Sequence, residues 1–134
     1  MNHILIVEDA PNFRQYRAAL LEREFPPASI TSTATIKGVS AALAQRRPDL
    51  VILDLALPAD ENDYISRAEA GLRLLEQLKA IAEAPRVVVM TSHQAMEAEC
   101  RALGADGFVS KSMKASELGA QLLAVIRSLA ESVA

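Results

Sequence analysis

The sequence has no tryptophan and a single cysteine, Cys100, and aromatic residues make up only 4% of its 134 positions. One cysteine excludes an intramolecular disulfide and fits a reducing compartment. No apolar run approaches the roughly 20 residues that a membrane-spanning helix needs. The N-terminus, MNHILIVEDA, is too short and too acidic for a secretory signal. These features predict a cytoplasmic protein without a membrane partner. Strong charge of either sign is also missing. The formal net charge of −3 gives no long-range pull toward nucleic acid or anionic lipid. There is no internal repeat and no low-complexity segment. What is present is 51% hydrophobic and 23% charged residues, an ordinary globular composition. The length suits one domain that can bury a core without staples.

Three apolar runs are too short for helices and rich in β-branched residues: 4–7, 50–53 and 87–90. Each is nearly continuous, as in strands of a parallel sheet covered on both faces. Two weaker runs follow the same logic. Residues 29–33 are polar enough for an edge strand, and residues 107–110 centre on Phe108 and Val109. Helical patterns lie between them. Pro11 suits a first turn, with Phe13, Tyr16, Leu20 and Leu21 at helical spacing before Pro26 and Pro27. Thr35 can cap a helix over 36–45. Leu74, Leu75, Leu78 and Ile81 mark a third helix. Met96, Cys100 and Leu103 mark a fourth, stopped by Gly104. Leu118, Leu122, Val125, Ile126 and Leu129 form the stripe of a fifth. A βα unit repeated five times predicts an α/β, doubly wound (βα)5 domain with helices on both faces of a parallel sheet.

Ligands of open α/β sheets bind at the carboxyl ends of the strands. There the sequence places Glu8 and Asp9, Asp54, Thr91 and Ser92, and Ser110 and Lys111. Each has an ordinary reading. Acid pairs cap helices, an Asp ending a strand is commonly a turn residue, and a lone Lys is usually solvated. Their joint placement is harder to explain that way. Three carboxylates in one pocket cannot all stay ionised without compensation. A raised pKa is one remedy. A hard divalent cation with oxygen ligands, Mg²⁺ (or Mn²⁺), is another. A carboxylate flanked by a cation, an ammonium and a hydroxyl suits phosphoryl transfer, with Asp54 as nucleophile.

Four segments in this order resemble the receiver domain of two-component response regulators: ILIVEDAPNFR (4–14), RPDLVILDLALP (47–58), VVVMTS (87–92) and GADGFVSKS (104–112). The resemblance spans essentially the whole chain and is strongest to receivers of helix-turn-helix transcriptional regulators. It implies a CheY-like sheet in strand order 2-1-3-4-5. It implies that Asp54 accepts a phosphoryl group from a histidine kinase or histidine phosphotransfer protein. Glu8, Asp9, Asp54 and the carbonyl of Ala56 would serve Mg²⁺, with Glu8 acting through water. Thr91 and Lys111 would bind phosphoryl oxygens, and Phe108 occupies the aromatic switch position, where a plain core aromatic is the alternative. Ala56, Ser92 and His93 border the phosphoryl group, and His93 would cap the fourth helix or order a water. The face of helix 4, strand 5 and helix 5 would control an output domain outside this chain, or a separate partner. A homodimer is compatible with that. Own enzymology would amount to self-phosphorylation on Asp54 and slow self-dephosphorylation.

Two features depart from the family pattern. Ser112 follows Lys111 where receivers usually carry a cis proline, and a cis bond to a non-proline residue costs about 2.5–4 kcal/mol. Residues 59–70, with Asp60, Glu61, Asp63 and Glu69, separate Pro58 from Gly71 as an acidic insertion. A tolerated surface loop is one reading of it and selection of partners another. Tyr64 and Ile65 would pin this segment to the surface or extend the third helix backward. A receiver-like module acting without phosphate is the alternative function. A Mg²⁺-dependent phosphatase is disfavoured because Ala56 stands where such enzymes carry a second acid. A flavodoxin-type site is disfavoured because acids follow the first strand where a phosphate cradle would be needed. Nothing in these residues encodes direct nucleic-acid binding.

Overall fold

The computed structural model describes residues 1–60, 62, 67–111 and 114–133, without the side chains of residues 115, 132 and 133. The placements expected for Tyr64 and Ile65, and the isomer of the Lys111–Ser112 bond, lie outside the described residues. In chain order the elements are β1 (His3–Val7), α1 (Pro11–Glu24), β2 (Ser29–Thr33), α2 (Ile36–Gln45), β3 (Leu50–Asp54), α3 (Ala68–Ala80), β4 (Arg86–Thr91), a 3-10 turn (Gln94–Met96), α4 (Glu97–Ala102), β5 (Gly107–Ser110) and α5 (Ala115–Val133). The five strands are parallel, in the order β2-β1-β3-β4-β5.

The continuous apolar runs form strands with both faces covered. Every residue of β1 and β3 is buried, whereas β2 is the polar edge strand. Alternate strand residues feed two cores, as the period of two requires. Leu5, Val7, Val51, Leu53, Val87 and Val89 pack with Val39 of α2, with Leu74, Leu75 and Leu78 of α3, and with Cys100 of α4. Ile4, Ile6, Leu50, Ile52, Val88 and Met90 pack with Leu20 and Leu21 of α1 and with Leu122, Leu123 and Ile126 of α5. Helices therefore lie on both faces, and the strand ends between them are open to polar side chains.

Several local signals act as expected. Pro11 opens α1. The Thr35 side chain accepts from Gly38 N at 3.0 Å, and Gly104 ends the α4 segment at φ +104°, a left-handed conformation that costs glycine little. Two expectations need correction. Phe13 and Tyr16 belong to the helical pattern of α1 but are 52% and 55% exposed, whereas Arg17 is buried with Leu20 and Leu21. The face that packs Leu20 and Leu21 into the core also carries Arg17 inward to Glu8 and leaves both aromatic rings outside. The fourth helix is also shorter than its apolar pattern. It opens as a 3-10 turn, and the His93 side chain does not cap it.

The stretch after Asp54 is anchored at its base. Arg67 N donates to Leu57 O at 3.3 Å in an isolated antiparallel bridge. Ile36 N and Lys37 N donate to Pro58 O (3.1 Å) and Ala59 O (3.0 Å). Two otherwise unpaired N–H groups at the start of α2 are thereby satisfied. Gly71 lets α3 lie directly against this stretch, because a Cβ there would fall 2.1 Å from Leu55 O and 2.3 Å from Leu55 Cα. Below, Asp106 Oδ2 accepts from Lys79 Nζ (2.8 Å) and from Val87 N (2.8 Å), while Lys79 Nζ also donates to Pro85 O at 2.9 Å. One carboxylate thus ties α3, the start of β4 and the turn before β5.

Gly71→Ala is expected to cost about 1–3 kcal/mol by forcing backbone apart, although alanine is the better helix former by about 0.5–1 kcal/mol. Thermal unfolding of the two proteins reads the difference; a higher Tm for the alanine variant would contradict the close approach.

Candidate functional site

β1 and β3 are neighbours in register, Val7 opposite Leu53, so residues just past their ends meet. Glu8 follows β1 and remains tied to the sheet through its N–H to Thr33 O at 3.0 Å. Arg14, one turn into α1, donates to Glu8 O (2.9 Å) and Asp9 O (3.4 Å) and fixes the turn between them. Asp54 is the last residue of β3, and its Oδ1 accepts from Ala56 N at 3.2 Å. Carboxylate oxygens of Glu8, Asp9 and Asp54 lie within 4.8 Å of one another. Glu8 and Asp54 are buried and Asp9 is half-buried.

Lys111 enters from the opposite side of the sheet edge. Its N–H bonds Thr91 O at 2.8 Å, continuing the β4–β5 ladder in which Thr91 faces Ser110. Its Nζ lies 2.8 Å from Asp54 Oδ2 and 3.0 Å from Glu8 Oε1. Arg17 Nη1 also pairs with Glu8 Oε1, and both of these side chains are almost wholly inaccessible. Glu8 Oε2 is buried without a partner among the described residues.

The charges are unevenly shared. Burial pushes the Asp54 carboxyl up, the adjoining Glu8 carboxylate pushes it further, and Lys111 opposes both, leaving it at about 7. For Glu8, burial is the largest single influence and also acts upward. The hydrogen bond with Asp54, Lys111 and Arg17 together outweigh it and hold Glu8 at about 2. Without a cation, then, Glu8 carries the charge, and Asp54 keeps its proton below neutrality and gives it up as pH rises through about 7.

Thr91 closes β4 at the same edge. It is buried, and its Oγ1 accepts from His93 N at 3.2 Å. Ser92 and His93 are exposed beside it. Phe108 is 8% exposed within the core that α4 covers. Glu8, Asp9, Asp54 and Lys111 are thus brought into one cluster, with Ala56 hydrogen-bonded to it. Thr91 ends β4 beside Lys111, with Ser92 and His93 following it at the surface, and Phe108 lies in the core that α4 covers. Sequence reasoning missed Arg17 and Arg14. The available signal was an arginine three and four residues before Leu20 and Leu21, on the face that must turn inward.

This donor set suits a hard divalent cation. Among the described residues it gathers three carboxylates in one pocket and leaves the buried Glu8 Oε2 without a hydrogen-bond partner.

The chain matches the family described as the response regulator receiver domain over residues 4–123. It belongs to that family. Receivers of two-component response regulators have acceptance of a phosphoryl group as their general function, and they bind Mg²⁺ at an acidic pocket. The receiver is 30% identical over 129 residues to the KDP operon transcriptional regulatory protein KdpE of Escherichia coli, covering 95% of this chain and 52% of that protein. It is 33% identical over 117 residues to the nitrogen assimilation regulatory protein NtrX of Azorhizobium caulinodans, covering 86% of this chain and 24% of that one. It therefore spans about half, or less, of these relatives. The solved receiver domain of NtrX from Brucella abortus superposes with a TM-score of 0.71 at 29% identity, over 94% of this chain and 97% of that one. Among the described residues, no helix is long and apolar enough to cross a membrane.

The raised Asp54 pKa has a stability consequence. Its folded value of about 7 exceeds the ordinary 3.8, so its contribution is fully present below about 3.8 and is lost as pH rises through about 7. Glu8 runs the other way, present above its ordinary 4.5 and lost as pH falls through about 2. In chelator, the Tm of wild type should therefore fall relative to Asp54→Asn between about pH 4 and about pH 7 and level off above that. Thermal unfolding across that range checks it; a gap that does not vary with pH would contradict the assignment.

Proposed function

We propose that this chain is a single receiver domain with an insertion at about residues 59–70, and that Asp54 is its phosphoacceptor. The observation that carries this reading is the Lys111 ammonium placed 2.8 Å from the carboxylate that ends β3. In the transfer, an Asp54 carboxylate oxygen attacks phosphorus as the bond to the donor histidine nitrogen breaks. The donor is a sensor histidine kinase or a histidine phosphotransfer protein. The acceptor must be ionised to attack, and at about 7 it is poised near that point.

Glu8, Asp9, Asp54 and the Ala56 carbonyl are the residues that would hold Mg²⁺. A bound ion supplies positive charge that keeps Asp54 ionised and neutralises phosphoryl oxygens. Lys111 then exchanges a carboxylate oxygen for a phosphoryl oxygen, and Thr91 offers its hydroxyl to another. Movement of Thr91 opens the core near Phe108, which biases the packing of α4, β5 and α5. That face is the surface that would control an output domain or a partner. Ser92 and His93, which follow Thr91 and are exposed, would modulate access to the phosphoryl group. The position of Lys111 on Asp54 favours this reading over a module that works without phosphate.

Incubation with Mg²⁺ and a small phosphodonor should add one phosphoryl group to wild type and none to Asp54→Asn, read by intact mass. Beryllofluoride should likewise perturb the spectrum of wild type alone. Equal modification of the two proteins would remove Asp54 from the role.

A further inference from the structure

The function proposed above uses three carboxylates and one lysine, yet the pocket contains a second cation. Arg17 comes from α1, is 4% exposed, and pairs through Nη1 with Glu8 Oε1. It is sealed in place. The Phe13 ring lies over its guanidinium, 5.7 Å from carbon to centroid, and Leu20 on the next turn is buried beside it. The exposed face of Phe13 is the outside of this cover.

A buried carboxylate of this kind needs compensation. Lys111 alone could provide it, since its Nζ is 3.0 Å from the same Glu8 oxygen. Lys111 is also bound to Asp54, however, and the proposed transfer requires it to turn to a phosphoryl oxygen. Arg17 has no such second duty. Its charge is permanent, and it stays with Glu8 whatever Lys111 does. The same charge bears on any cation drawn to the pocket, because Glu8 has then been neutralised from within.

We propose that Arg17 is a positioning residue that occupies Glu8 as a resident counter-cation, competes with the divalent ion for that carboxylate, and so weakens metal binding at this site. The pocket then presents Asp9 and Asp54 as its effective anionic ligands, with Glu8 reaching the ion only through its second, unpaired oxygen. This rests on the metal-site reading given above.

Titration calorimetry with Mg²⁺ on the metal-free chain tests it. Arg17→Met, which keeps an unbranched side chain in the apolar part of the slot, should tighten Mg²⁺ binding by about tenfold. In a Glu8→Gln background the same substitution should leave the affinity unchanged, because the carboxylate through which Arg17 acts is gone. Arg17→Lys should return the affinity toward wild type. If Arg17→Met does not fold, Arg17→Gln carries the same expectation, since it keeps a donor to Glu8 and removes the charge. Unchanged or weaker binding in the folded Arg17 variant, or equal tightening in the Glu8→Gln background, would overturn the proposal. Asp9→Asn separates the two levels of the argument. Mg²⁺ binding that is lost in Asp9→Asn but insensitive to Arg17 overturns this proposal alone. Absence of binding in every variant, or binding indifferent to Asp9, overturns the metal site and this proposal with it.

Discussion

The Lys111 ammonium lies between the carboxylates of Glu8 and Asp54, 3.0 and 2.8 Å away. Two buried acids on adjacent parallel strands repel each other, and β1 and β3 cannot slide apart to relieve this, because their apolar residues are locked in register. The cost is managed in three ways at once. Lys111 bridges the pair, Arg17 neutralises Glu8, and Asp54 keeps its proton until pH rises through about 7. Each leaves a different handle on the site. In the proposed transfer Lys111 exchanges one anionic oxygen for another and a cation ionises Asp54, while Arg17 stays paired with Glu8.

The geometry makes the sheet the source of precision. Asp54 is held by a strand buried along its whole length, and Lys111 by a backbone bond to Thr91. Rigid presentation matters because phosphoryl transfer depends on positioning and charge neutralisation rather than on elaborate covalent chemistry. Relatives at about 30% identity align over nearly the whole chain, and a solved receiver at 29% identity has the same fold.

Much of this was legible in the sequence, for identifiable reasons. Continuous runs such as 50–53 point to strands covered on both faces, and three of them with two weaker runs, separated by helical patterns, leave few topologies. The strand order then brings Glu8, Asp9, Asp54 and Lys111 to one edge without reference to any side-chain contact. The rotation of α1 was only partly legible. Leu20 and Leu21 turn inward as their spacing implies, but Phe13 and Tyr16, at the same spacing, stay exposed. Arg17 falls on the inward face, and a hydrophobic pattern does not show that Glu8 is there to receive it. The short α4 was hidden in the same way. Met96, Cys100 and Leu103 fit one helix, while the turn that precedes it is shaped by Thr91 accepting from His93 N. The role of Gly71 was hidden because the backbone it touches is sixteen residues away, across a segment with no periodicity.

The carbonyls of Pro58 and Ala59 receive the first N–H groups of α2. The chain just past β3 is therefore also the N-terminal support of a helix that contributes nothing to the acidic cluster. The two are mechanically in series. A change of backbone path after Asp54 must either break those bonds or carry the first turn of α2 with it. The β2–α2 unit stands at the edge of the sheet and pairs with it through β1, so a shift passed to α2 is delivered to that edge.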